Sequence, residues 1–155
     1  MATSDAYLNS GDAKFRLGQD AAGMADYNRA IETSPRYAVA YFKRGVVEAG
    51  VGRYGDAFED FEKAIKLNPN YAEAYFCLGN ARIGAHQNRE AIFDFDRAIE
   101  LNPNYAEAYA GRGAAKFYLG QYADAIPDLD RAIQLDPNNS YAGYFRGMVQ
   151  KAIGL

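Results

Sequence analysis

A chain of 155 residues, 49% apolar and 14% aromatic, is long enough to bury one ordinary soluble core, so a single domain over 1–155 is expected. Its formal net charge of −3, with the two signs interspersed, offers no broad basic field and argues against nucleic acid or an anionic membrane as partner. The one cysteine, Cys77, cannot close an internal disulfide and has only His86 for company, so neither a metal site nor a cofactor is expected.

No apolar run approaches the roughly 18 residues that span a bilayer, and the opening MATSDAYLNSG lacks a basic start followed by an apolar core. A cytoplasmic protein is the expectation.

The elements follow one period. Pro35, Pro69, Pro103 and Pro137 stand 34 residues apart, as do Gly11, Gly45, Gly79, Gly113 and Gly147. The nonapeptide LNPNYAEAY occurs unchanged at 67–75 and 101–109. The chain divides into units 4–37, 38–71, 72–105 and 106–139, followed by sixteen residues of a fifth.

Unit one predicts helices over 4–17 and 20–33, with Gly23 standing where later units have Ala57, Ala91 and Ala125, a looser start. Unit two predicts 38–50 and 54–67. In the latter, Ala57, Phe58, Phe61, Ala64 and Ile65 form an apolar stripe, and Glu59/Lys63 and Glu62/Lys66 lie on the wet side. Unit three predicts 72–84 and 88–101; unit four, 106–119 and 122–135, with a bend at Pro127.

A last helix, 140–153, has no second-helix partner. Phe145, Met148, Val149 and Ile153 either turn inward as a cap or pair with another chain.

Within the repeated joint, Pro69 and Pro103 end one helix, and Asn70 and Asn104 are expected to cap the next, with Glu73 and Glu107 completing a capping box. The glycine column marks close helix approach, with Tyr27, Phe61, Phe95 and Leu129 filling the wider gaps. Arg44, Arg112 and Arg146 share one column, and Asp26, Asp60, Asp94 and Asp128 another. Pairing each Asp with the Arg of the following unit predicts the ion pairs Asp26–Arg44, Asp94–Arg112 and Asp128–Arg146, leaving Asp60 opposite Leu78. Such pairs would set the stacking register.

A tyrosine, a glycine four residues later, and then YxxAIxDFxxAIxLxP at this period resemble the tetratricopeptide repeat, over essentially the whole chain. The resemblance implies an all-α fold: a right-handed α-solenoid superhelix of antiparallel helix pairs, nine helices in all, with a concave groove that holds a peptide or partner helix. One departure stands out. The large aromatic seven residues after the family's opening aromatic is replaced by Lys14, Glu48, Arg82 and Lys116.

Groove candidates come from the first helices: Asn9, Phe42, Lys43, Val46, Phe76, Cys77, Asn80, Phe117 and Tyr144. Ala110 and Gly111 should leave a hollow flanked by Phe76 and Tyr144. Members of the family that grip a C-terminal carboxylate use Lys, Asn and Arg. The corresponding places here offer Leu8, Asp12, Lys43, Glu73 and Cys77, so that clamp is absent, and Lys43, Cys77 and Gly111 interrupt any asparagine ladder from Asn9.

No catalytic constellation emerges. His86 falls at a turn without a triad partner, Cys77 has no base, and the glycines are spaced for packing rather than for a phosphate. The function expected is a non-catalytic scaffold that binds a protein or peptide in the groove. Alternatives are homo-oligomeric assembly through the terminal helix and an RNA-binding helical repeat, against which the charge weighs.

Overall fold

The computed structural model describes residues 2–154. Among them are nine α-helices and no strand: α1 (Ser4–Arg16), α2 (Asp20–Thr33), α3 (Ala38–Gly50), α4 (Tyr54–Leu67), α5 (Ala72–Gly84), α6 (Asn88–Leu101), α7 (Ala106–Tyr118), α8 (Tyr122–Leu135) and α9 (Ser140–Ala152). They gather into two compact units, 1–70 with α1–α4 and 71–155 with α5–α9. The boundary falls inside the first copy of the nonapeptide.

Each helix pair closes over a small-residue seam. In the first unit Leu8, Tyr27, Ala30 and Ala40 are buried together, and Ala57, Phe61 and Ala64 are wholly buried. In the second unit one cluster forms around Ala91, Phe95 and Ala98, and another around Leu129, Phe145 and Val149.

Phe95 shows why the glycine column exists. A Cβ on Gly79 would come within 2.8 Å of its ring, and one on Gly111 of the next first helix within 2.5 Å. The ring occupies the space of two missing side chains, which offsets the helix-weakening cost of both glycines. Gly23 follows the same logic, since Phe15 stands 2.7 Å from where its Cβ would be. The expected looseness of the first pair is filled by an aromatic ring.

The joints differ from expectation by one residue. Asn68 and Asn102 accept the backbone N–H of Asn70 and Asn104 at 3.2 Å, forming a turn around the proline. Tyr71 and Tyr105 then occupy the N-cap positions without a side-chain cap bond. Asn70 and Asn104 therefore do not cap, and no capping box forms with Glu73 or Glu107. Only at the last joint does the cap column hold a capping residue: Asn139 accepts from the Ala142 N–H at 2.9 Å.

Within each pair the turn needs a left-handed residue, at Gly18 (φ 71°), Gly52 (φ 78°) and Gly120 (φ 74°). His86 occupies this place in α5–α6 with φ 60°. Helix α8 continues through Pro127, which is exposed. Helix α9 turns Ala142, Phe145 and Val149 inward against α7 and α8, the arrangement of a cap.

The ion pairs are corrected by the structure. Arg44 grips Asp60 of its own helix pair, both contacts at 2.7 Å, and Arg112 grips Asp128 through Nε at 2.9 Å and through Nη2. Asp26 is held by Ser10 at 2.6 Å and Lys14 at 2.5 Å, and Asp94 by Arg82 at 3.0 Å. Asp26–Arg44, Asp94–Arg112 and Asp128–Arg146 do not form.

The reason is facing. First-helix bases and the second-helix Asp of the same pair meet across one interface, where the guanidinium fork fits both carboxylate oxygens. The arginines still reach the preceding repeat, but through the residue two past its Asp: Arg44 to Asn28 at 2.8 Å, Arg112 to Asp96 at 2.6 Å and Arg146 to Asp130 at 2.6 Å.

These contacts also explain the family departure. Lys14, Arg82 and Lys116 replace an aromatic and neutralise the buried Asp of their pair. Glu48 is the exception: 7% exposed, with its Oε2 lacking a hydrogen-bond partner. Burial first, and the Asp60 charge second, push its carboxyl up to about 7.

Candidate functional site

The groove face of a helix pair is the part of its first helix that its second helix leaves free. In the first unit this face carries little open polarity. Lys43 donates to Asp12 at 2.8 Å, and Asp12 also accepts from the Tyr27 hydroxyl at 2.6 Å. Burial opposes ionisation of Asp12, but the bonds from Lys43 and Tyr27 outweigh it and hold its carboxyl below the usual range. Phe42 is half-buried against Phe61, with ring centroids 6.0 Å apart. Val46 and Asn9 remain exposed.

The second unit has a hollow of about 360 Å³. Its floor is Ala110 and Gly111, both buried, and its walls are Phe76 and Tyr141. Asn80, Glu107 and Asn139 supply the polar rim. The void has a plain cause. The column that carries Phe42 in α3 and Phe76 in α5 carries only a methyl at Ala110, and Gly111 can grow no side chain without striking Phe95.

Phe76 is fixed from two sides, by Phe95 at 6.1 Å and Tyr105 at 5.0 Å between ring centroids. Asn139 is fixed by its capping bond to α9. The hollow is thus largely preformed, as small binding sites commonly are.

Of the other expected residues, Cys77 is half-buried beside this wall. Burial, and then the Glu73 carboxylate, push its thiol up to about 11, so it stays protonated. Phe117 belongs to the core, packed on Tyr122 and Phe145 at 5.4 Å. Tyr144 lies 62% exposed with its edge on Phe145, and Tyr141, three residues earlier, takes the wall position expected of it.

Glu107, Asn139 and Tyr141 were not among the groove candidates. The sequence signal was Asn139 itself, which follows Tyr37, Tyr71 and Tyr105 in a column that opens with Thr3.

The charge on the rim, Glu107, is negative and uncompensated for a structural reason. On the first helices of this unit, Arg82 pairs with Asp94, Arg112 with Asp96 and Asp128, Lys116 with Asp128 and Arg146 with Asp130. Apart from Lys151 in the last turn of α9, the cations are drawn towards the second helices. Glu73 and Glu107, in the first turns of α5 and α7, are exposed and paired with none of them. Both act on Tyr105, where burial is the larger cause of a hydroxyl pushed far above its ordinary value.

A second hollow of about 240 Å³ lies among Ile83, Gly84, His86, Asn88 and Tyr118. Among the described residues no group of three or more His, Cys, Asp or Glu is placed to hold a metal ion.

Comparison with known proteins gives one consistent answer. Family profiles described as tetratricopeptide repeats match residues 4–37, 51–83, 72–105 and 106–139. Among solved structures, a MamA crystal structure is 29% identical with a TM-score of 0.86, covering 94% of this chain and 85% of that one. YrrB, described as a tetratricopeptide protein with an unusual peptide-binding site, is 25% identical with a TM-score of 0.80, covering 96% and 77%. The first such domain of Spaghetti (RPAP3), bound to the HSP90 peptide SRMEEVD, is 26% identical with a TM-score of 0.73, covering 76% and 94%. No curated protein sequence matches the chain.

Proposed function

Because the chain belongs to the tetratricopeptide repeat family, we propose that it is a non-catalytic interaction module that takes a segment of a partner protein into the hollow of its second unit. The observation that carries this reading is the hollow itself: a buried small-residue floor between two aromatic walls with a polar rim. An aromatic-walled cavity with an apolar floor accepts a large apolar side chain, and burying one contributes about 1.5–3 kcal/mol. A useful affinity therefore needs further contacts, which the polar rim residues Asn80, Glu107 and Asn139 of the same unit are suited to provide.

The peptide-binding descriptions of YrrB and of the Spaghetti domain support a peptide as the ligand class. Inward burial of Phe145 and Val149 supports a capping role for α9 over self-assembly through it. No described helix is long and apolar enough to cross a membrane, and we place the module in the cytoplasm on the absence of disulfide-forming cysteines.

The test is selection of peptides from a displayed library on the whole chain, followed by binding to Asn80→Trp, which plugs the rim at an exposed position. Selected peptides should lose at least about tenfold in affinity for the plugged variant. Peptides indifferent to the plug would overturn the reading.

A further inference from the structure

We propose that the segment received by this hollow carries a bulky apolar side chain flanked by lysine or arginine, the side chain seated on Ala110 and Gly111 and the cations meeting Glu107 and Glu73. The inference rests on the groove reading above and adds the chemistry of the partner.

Three observations converge on it. The floor and walls are apolar, so the anchor is apolar. Glu107 belongs to the rim, and Glu73 stands in the first turn of α5, three residues before the wall residue Phe76 and so on its side of the helix. Among the described residues neither glutamate is paired with a cation, and the first-helix arginines and Lys116 are bound to second-helix aspartates. Two carboxylates beside an apolar hollow attract a cation and repel an anion at close range, so they set specificity as well as encounter rate.

The opposite assignment, an acidic segment, would bring like charges together at the rim. Among the described residues it would also find no cation in the lining of the hollow, and Arg112 nearby lies between Asp96 and Asp128.

The experiment uses isotope-labelled whole chain and blocked peptides, Gly-Ser-Lys-Phe-Lys-Ser-Gly and its twin with Glu in place of both Lys, followed by amide shifts. The Lys peptide should move the Asn80, Glu107, Gly111 and Tyr141 signals and bind at least about tenfold more tightly than its twin at low salt. The difference should shrink in E73Q/E107Q and reverse in E73K/E107K. Equal or tighter binding of the Glu twin to the wild type overturns the charge assignment while leaving the groove reading standing. Failure of both peptides to move these signals overturns both. Movement of the same signals on concentrating the protein without peptide assigns the hollow to a second copy and overturns the proposal.

Discussion

The second and fourth helix pairs solve the same problem with different success. In α7–α8, buried Asp128 receives Arg112 and Lys116 together. In α3–α4 the Arg is kept, but the neighbouring base is replaced by Glu48, so buried Asp60 has one cation and a carboxyl beside it. A buried charge is tolerable in proportion to its partners, and here one side chain separates a doubly neutralised site from a frustrated one.

The largest expected effect breaks this comparison directly. Arg44→Ala strands Asp60 next to Glu48 and should cost about 3–5 kcal/mol. Arg112→Ala should cost less, about 2–3 kcal/mol, because Lys116 stays 2.8 Å from Asp128. Urea midpoints of the two variants decide it; equal losses would mean that Lys116 contributes nothing.

A smaller effect, of opposite sign, comes from removing the frustration. Glu48→Gln should stabilise the chain by about 1–2 kcal/mol at pH 8, and Glu48→Lys, which restores the base of the other pairs, by at least as much. The pH dependence follows from the direction of the shift. A folded-state carboxyl raised from 4.5 to about 7 contributes stability fully present below 4.5 and lost as pH rises through 7. The wild type should therefore weaken between pH 5 and pH 7.5, and Glu48→Gln should abolish that slope. Asp26 moves the other way: hydrogen bonds from Lys14 and Ser10 lower it, so its contribution is present above its ordinary value of 3.8 and disappears in acid, outside this window.

The smallest effect sharpens a second contrast, between His86 and the glycines of the equivalent turns. His86→Gly relieves a left-handed side chain and should add about 0.5–1 kcal/mol. A lowered melting temperature would show instead that His86 contacts in the smaller hollow outweigh the backbone cost.

Much of the fold could be read from the chain, and particular residues show where reading stopped. The helix pairs, their prolines and the hollow over Ala110 and Gly111 follow from spacing, because an absent side chain leaves space wherever its neighbours recur. The N-cap falls one position later than expected, on Tyr71 and Tyr105, because Asn68 and Asn102 close a turn around the proline whose backbone carries Asn70 and Asn104 past the cap position. Lys43 reads as a free groove cation until Asp12 is found 2.8 Å away.

What the sequence determined by itself is periodic: nine helices, a glycine column and the ring that fills it, since each depends on neighbours at a constant offset along one chain. What the tertiary structure decided is pairing. Column spacing is equally compatible with an Asp meeting the arginine of its own helix pair or of the next, and only the relative rotation of two packed helices selects one. The same rotation puts Tyr141 rather than Tyr144 over the hollow and leaves Glu107 as the charge on its rim.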